Sequence, residues 1–335
     1  HAWATARCPI GTVADKLRIL RLRARLARRD VLDLFDGGGR PDRSALQALQ
    51  DEGFSSEMIQ AFWMPLFAGI TLEPRLAGSA LMRDFVFAML SRGTAALPAQ
   101  GIGQITQQLA SRLDQISIIV DATVDSIVRV NDDYVVTTNR SQAITARQVV
   151  IATDGDTARA LTNQIDIHIT ADAPIAPHGF NSATTVYFSA DVAPTDQRWV
   201  ILDGDQSGPV NNVAVVSNIA PRYAPANKHL IAAQVVGNAS PDLIATQVLR
   251  QLSSWWGDQV DGWTHLRTDH ILYAQPAQPP GALSPHRRAV DLGNGLWICG
   301  DHRDQASIQG ALASGRRCGT ALVAQLGAKS SERNL

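Results

Sequence analysis

From Gly11 to about Arg92, apolar residues recur every three to four positions, the period of helices with one buried face. Thr12 can cap the first of these helices, whose apolar positions are Val13, Leu17, Leu20, Ala24 and Ala27. Its other positions are crowded with Lys16, Arg18, Arg21, Arg23, Arg25, Arg28 and Arg29. A solvated face is the plain reading of that basic run, and attachment to an acidic membrane or partner is the alternative. The run of Asp36, three glycines, Arg40, Pro41 and Asp42 predicts a loop. Ser44 and Ser55 then look like caps of two more helices. The second of these runs through Phe62, Trp63, Pro65 and Phe67, aromatics that suit a core first and a ligand-lining wall second.

After a turn at residues 98–103, an amphipathic helix is expected through Ile105, Leu109 and Leu113. The period then shortens to that of strands, at residues 116–120, 125–130 and 134–138, with Asn131, Asp132 and Asp133 turning the last two into a hairpin. Residues 148–153 read as a buried strand that ends at Asp154-Gly155. Further strands are predicted at 184–188, 199–202, 213–217, 230–236 and 264–273, with a helix over 241–256. A breaker at 275–281 separates them from a last strand at 295–299 and a last helix. The pattern is that of a mixed α/β chain.

With 335 residues, the chain has room for two domains or one large interleaved α/β unit. Hydrophobic residues at 45% and charged residues at 18% allow a sizeable core. A net charge of -1 argues against a nucleic-acid partner, because phosphates need a basic field. No apolar run approaches the roughly 20 residues that cross a bilayer. No charged-then-apolar leader opens the sequence. Cys8, Cys299 and Cys318 lack metal spacing and read as reduced core thiols, so a cytoplasmic location is expected, with peripheral membrane contact through the 18–29 arginines as an addition.

The stretch ICGDHRDQASIQGALASGRR, residues 298–317, carries the chemistry. A strand runs into Gly300-Asp301, then a polar loop, then a helix predicted to show an apolar stripe of Ile308, Ala311, Leu312, Gly315, Cys318 and Leu322. Small residues on that stripe let a helix approach a sheet or a flat ligand closely. The first N–H groups of a helix lack partners and carry the positive end of its dipole, which favours an anion or a carbonyl gaining charge. Asp301, at the strand tip, is placed to accept hydrogen bonds from the hydroxyls of a sugar or ribityl chain. A plain strand–loop–helix with Asp301 or Ser307 as a cap remains the alternative. A hydrolase built on Ser307, His302 and Asp301 lacks the Gly-x-Ser-x-Gly elbow. A metal site from Asp301, His302 and Asp304 lacks both helical spacing and a cysteine partner.

Residues 300–304, then Ser307-Ile308-Gln309-Gly310-Ala311 and Ser314-Gly315-Arg316, resemble the C-terminal flavin-binding signature of the FAD-dependent amine oxidase superfamily, which includes protoporphyrinogen oxidases and phytoene desaturase-like enzymes. Residues 98–109, 123–127 and 149–153 resemble further family segments in order. The resemblance implies an incomplete FAD-binding Rossmann-like domain interleaved with a mixed α+β substrate domain. Residues 97–155 and 291–326 would form the FAD side, 1–96 and 156–290 the substrate side, and 327–335 a tail. It implies that Gly300 and Asp301 lie along the ribityl–pyrophosphate chain and that Val124 meets the adenine. Thr153 ends the strand that returns to the cofactor. The segment Ser307, Ile308, Gln309 and Gly310 would face the flavin N1–C2 edge, with Gln309 where the family often has an acid. The implied reaction is oxidation of an apolar small molecule by hydride transfer to FAD. Pocket candidates are Phe62, Trp63, Phe67, His270, Tyr273 and His302, with Arg303 beside them. Lys16, Lys228 and Lys329 fall outside the motif positions, which weakens an amine substrate.

The Gly-x-Gly-x-x-Gly unit that cradles a pyrophosphate is missing: Gly101 and Gly103 break it at the third glycine. The chain is therefore expected to start after that unit and to hold FAD weakly or not at all, with a cofactor-free binding or interaction module as the rival reading. The sequence carries no signal for oligomeric state.

Overall fold

Thr12 starts the first helix, α1 (Val13–Ala27), through a reciprocal cap: its Oγ1 accepts the Asp15 N–H at 3.2 Å, and Asp15 accepts the Thr12 N–H at 2.9 Å. Asp15 is completely buried, because its carboxylate also takes the N–H and hydroxyl of Ser55 at 2.9 and 2.7 Å. This second task sets the rotation of α1 and overturns the expected stripe. Leu22 and Leu26 enter the core, while Val13 (75% exposed), Leu17 (50%) and Leu20 (58%) face outward.

The computed structural model describes residues 8–36, 39, 41–140, 143–165, 178–237 and 241–332; Gly37, Gly38 and Arg40 of the predicted loop and residues 333–335 of the tail lie outside these. Ser44 and Ser55 cap α2 (Ala45–Asp51) and α3 (Ser56–Met58). A π-helical turn, Ile59–Trp63, leads from α3 into α4 (Met64–Thr71). Pro65 has no N–H to continue the α-helical ladder, which suits this wider turn. With α5 (Ala80–Arg92), these helices enclose Leu22, Leu26, Leu49, Trp63, Phe67 and Phe87.

The expected amphipathic helix exists only as α6 (Gln104–Ala110), and none of its residues is buried. Residues 116–120 form no strand among the described residues, and Ile116, Ile118, Ile119 and Val120 are exposed. A strand needs a neighbour to take its backbone groups, and none pairs there.

The hairpin is present: β1 (Val124–Val130) pairs antiparallel with β2 (Asp133–Thr138), which pairs with β3 (Ala143–Ala146). Asn131 adopts φ 58° at the turn, a conformation asparagine tolerates better than most residues. Next come β4 (Val149–Ile151) and α7 (Gly155–Thr162). A five-stranded sheet in the order β6-β7-β8-β5-β9 comprises β5 (Phe180–Ala190), β6 (Ile201–Leu202), β7 (Val210–Val215), β8 (His229–Val236) and β9 (Thr264–Pro276). A short α8 (Val216–Ile219) follows β7. One sheet face packs Val186, Phe188, Val213 and Ile231 against Ile244, Val248 and Leu252 of α9 (Pro241–Trp256). Lastly, β10 (Asp291–Gly293) turns into β11 (Leu296–Ile298), which runs parallel to β4 before α10 (Ile308–Glu332).

The chain forms two compact units, each built from separated segments. One holds residues 1–115, 180–275 and 279–281; the other holds 116–179, 276–278 and 282–335. No helix among the described residues is long and apolar enough to cross a membrane.

Candidate functional site

In the second unit, β4 and β11 lie side by side in parallel, with Ile151 opposite Ile298 and the Cys299 N–H donating to the Ile151 carbonyl at 3.0 Å. Both strands therefore end at the same edge, where open α/β sheets hold ligands. Thr153-Asp154 leaves β4 there, and Gly300-Asp301 leaves β11. Gly300 has φ 151°, and a Cβ on it would lie 2.5 Å from His302 Cε1 and 3.2 Å from the Thr153 carbonyl oxygen. Only glycine turns the chain here without a collision.

Asp154 caps α7, accepting the Asp156 and Thr157 N–H groups at 3.0 Å each and the Thr157 hydroxyl at 2.6 Å. Burial works to raise its pKa, but these hydrogen bonds together outweigh burial and hold the carboxyl below its usual range. Asp301 moves the other way: burial, with the Asp154 charge adding to it, raises its pKa. Two carboxyls thus mark this edge, one locked as an anion by its cap and one that an added donor would stabilise.

The turn that follows is held from within. Ser314, completely buried on α10, accepts the Gly300 N–H at 2.9 Å and donates to the Gly300 carbonyl at 2.7 Å. Gln278 receives the Ala306 N–H at 3.1 Å and donates to the Asp304 carbonyl at 3.3 Å. Buried Arg303 donates to the Ala289 carbonyl, and Arg317 reaches the Arg288 and Arg303 carbonyls at 3.0 and 2.9 Å and the Asp304 carboxylate at 3.2 Å. His302 is buried with no hydrogen-bond partner on either ring nitrogen; burial, then the Arg303 charge, pushes its pKa down to about 4, so it is neutral at pH 7.

Ser307 caps α10: its Oγ accepts the Gly310 N–H at 3.0 Å, and its carbonyl accepts the Ala311 N–H at 3.0 Å. Among the described residues, the amides of Ile308 and Gln309 meet no acceptor. Gly310 is compulsory, since a Cβ would lie 1.8 Å from the Gln305 carbonyl oxygen. The predicted stripe is corrected in part: Cys318 is buried with Leu322 packed against its cluster, but the first turns differ. The row that packs inward is Gly310, Ser314 and Cys318, whereas Ile308 (49% exposed) and Leu312 (46%) stay outside. Close approach of helix to strand requires the small side chains, so the larger ones turn away. This tip can donate two N–H groups to an anion or an electron-accepting ring, and the same unit holds a carboxylate suited to hydroxyls.

The second unit brings together Thr153, Gly300, Asp301, His302, Ser307, Ile308, Gln309 and Gly310, and also contains Val124 at the start of β1. The other unit contains the remaining pocket candidates. Trp63 and Phe67 sit in the helical core, with Phe62 5.2 Å from the Trp63 ring. His270 Nδ1 lies 2.7 Å from Thr184 Oγ1, and exposed Tyr273 meets Phe180 edge-on at 5.3 Å. Sequence reasoning named Asp154 and Ser314 without their roles as helix cap and as partner of Gly300, and missed Gln278. An aspartate three residues before Thr157 after a strand, and small residues at every fourth helical position, were the available signals; Gln278 left none.

The flavin-containing amine oxidoreductase family matches residues 1–323. No curated protein matches the chain. Among solved structures, an oxidoreductase from Methanosarcina mazei superposes with TM-score 0.68 at 16% identity, over 90% of this chain and 72% of its own. A protein from Exiguobacterium sp. 255-15 assigned as a protoporphyrinogen oxidase gives 0.65 at 15% identity, over 94% and 73%. Cyclohexylamine oxidase from Brevibacterium oxydans IH-35A gives 0.64 at 12%, over 96% and 76%. At such identities the structures speak for the fold, and the family match speaks for the chemistry: this chain belongs to the flavin-containing amine oxidoreductases and is an FAD-dependent oxidoreductase.

Proposed function

We propose that the edge formed by β4, β11 and the tip of α10 holds the ribityl and ring portions of FAD, and that the enzyme removes a hydride from an apolar small molecule. The observation that carries this reading is the pair of unpaired amides at Ile308 and Gln309, in the same unit as the Asp301 carboxyl. Their chemistry fits the group. A polyol offers hydroxyl donors to a carboxylate, and donation to Asp301 would favour its ionised form, which burial now disfavours. The positive end of a 25-residue helix suits an acceptor that gains negative charge. When bound, FAD supplies the two-electron acceptor; the chain's own residues position it and exclude water.

Each residue then has a task. Asp301 accepts from the polyol, and Ile308 and Gln309 donate N–H groups to the electron-poor edge. Asp154 keeps α7 anchored at the same strand ends, and Ser314 fixes Gly300 so that Asp301 cannot swing away. Neutral His302 supplies an uncharged wall. We assign the pyrophosphate cradle to an upstream βαβ unit with Gly-x-Gly-x-x-Gly, because Gly101 and Gly103 sit at a turn before α6 rather than between a strand and a helix. The matched structures extend beyond the part this chain covers.

FAD titration of this chain, and of a form extended with such a unit, tests the reading. The extended form is expected to bind FAD, and Asp301→Ala to weaken binding about tenfold or more. Ile308→Pro removes one N–H at the first helical position, where proline is tolerated. It is expected to make the bound flavin harder to reduce and to slow substrate-driven bleaching about 100-fold. An extended form that stays colourless with FAD, or an Ile308→Pro variant with unchanged flavin potential, would overturn it.

A further inference from the structure

The exposed face of α1 has a composition that the flavin site does not use. Val13, Leu17, Leu20, Ala24 and Ala27 fall in one row at three- and four-residue spacings, and all five are exposed. The row is bordered on one side by Arg21 and Arg28, and on the other by Lys16 and Arg23. Arg21 and Arg28 meet no carboxylate among the described residues. Arg23 reaches only the Ser91 carbonyl, at 3.5 Å, and Lys16 donates to the Cys8 carbonyl at 2.6 Å. The acids near the helix are turned elsewhere. Asp15 is buried beneath it, Glu52 and Asp84 pair with Arg25 and Arg83 on another side, and Asp30 accepts the Leu32 N–H beyond its end.

An apolar row with basic borders is the pattern of a helix lying in the plane of a lipid interface. The aliphatic side chains enter the acyl boundary while the long basic side chains reach up to the headgroups. We infer that α1 is a docking surface for an anionic bilayer, seated along Val13, Leu17 and Leu20 and held by Arg21, Arg23 and Arg28. Charge complementarity selects that occupant. A second copy of the same face would set arginines against arginines along both borders, which opposes symmetric pairing. The face has no histidine, so attachment follows headgroup charge and ionic strength rather than mild acidification.

Co-sedimentation of the full chain with phosphatidylglycerol vesicles, and separately with phosphatidylcholine vesicles, decides it. Binding is expected to the anionic vesicles and to weaken with added salt. Replacing both Arg21 and Arg28 by glutamate is expected to lower partitioning at least about twentyfold, at about fivefold per lost charge. The pair Leu17→Asp and Leu20→Asp is expected to abolish it with the unfolding midpoint unchanged, since both side chains are already outside. Equal pelleting with both lipids overturns the inference. So does salt-sensitive binding that ignores the two leucines, which would mean a charged surface without insertion. Self-association lost on Leu20→Asp in a chain that binds no vesicles would also overturn it, assigning the face to a second copy.

Discussion

α1 and α10 present the same signal in the sequence and resolve it in opposite ways. Each carries apolar residues at helical spacing. In α1, the predicted stripe of Val13, Leu17 and Leu20 ends up outside, and Asp15 is inside with Leu22 and Leu26. In α10, Ile308 and Leu312 also end up outside, but there the smallest residues, Gly310, Ser314 and Cys318, line the interface. Periodicity locates a face; the surface that meets the helix decides which one is buried. α1 turns toward a carboxylate-centred hydrogen-bond cluster and a leucine-filled core. The first turns of α10 press on backbone, at Gly310 against Gln305 and at Ser314 against Gly300, and admit nothing larger than a hydroxymethyl.

Breaking that difference at its tightest point should cost most. Gly310→Val places atoms where the Gln305 carbonyl stands 1.8 Å from the first of them, and backbone cannot step aside cheaply. A loss of about 3 kcal/mol or more is expected in chemical denaturation. On α1, the paired substitutions Leu22→Ala and Leu20→Ala separate the buried row from the exposed one. The first is expected to cost about 3 kcal/mol and the second less than about 0.5 kcal/mol.

Asp15 sharpens the comparison through pH. Burial alone would raise its pKa, but the Ser55 and Thr12 amides and hydroxyls more than compensate and hold the carboxyl well below the usual range. A depressed folded pKa means stabilisation that is present above the unfolded value, about 3.9, and lost as pH falls through the folded one. Asp15→Asn is expected to cost about 2 kcal/mol at pH 7 and to flatten the acid limb of a stability profile taken below pH 4. A smaller loss than at Asp15 is expected for Ser314→Ala, which deprives the Gly300 N–H of its acceptor. Unfolding should show about 1.5 kcal/mol, and FAD binding by the extended form should weaken in parallel.

Caps and strands were the most legible features. Thr12, Ser44 and Ser55 announced their helices, and the hairpin at Asn131 and the helix at Pro241–Trp256 fell where the pattern put them. These signals are local: a side chain satisfying an amide three residues on needs no distant partner. β3 and β10 were not foreseen, being short strands whose pairing depends on what lies beside them. Residues 116–120 err in the other direction, having strand composition and no neighbour. At the site, Gly300, Asp301 and the Ser307 cap were readable from the strand-to-helix motif. The hold of Ser314 on Gly300 and of Gln278 on the 304–306 loop was not, because those partners are far apart along the chain or on the hidden side of a helix.

The sequence by itself determined that the chain is mixed α/β, that it carries a flavoprotein signature at its C-terminal end, and where most helices begin. Those are properties of neighbouring residues. Only the tertiary structure decided which helical row is buried, that β4 and β11 end at one edge with Asp154 and Asp301 together, and that the tip of α10 keeps two amides free. Each depends on which surfaces meet in space, from Asp15 and Ser55 to Ile151 and Ile298, and such contacts leave no period in the sequence.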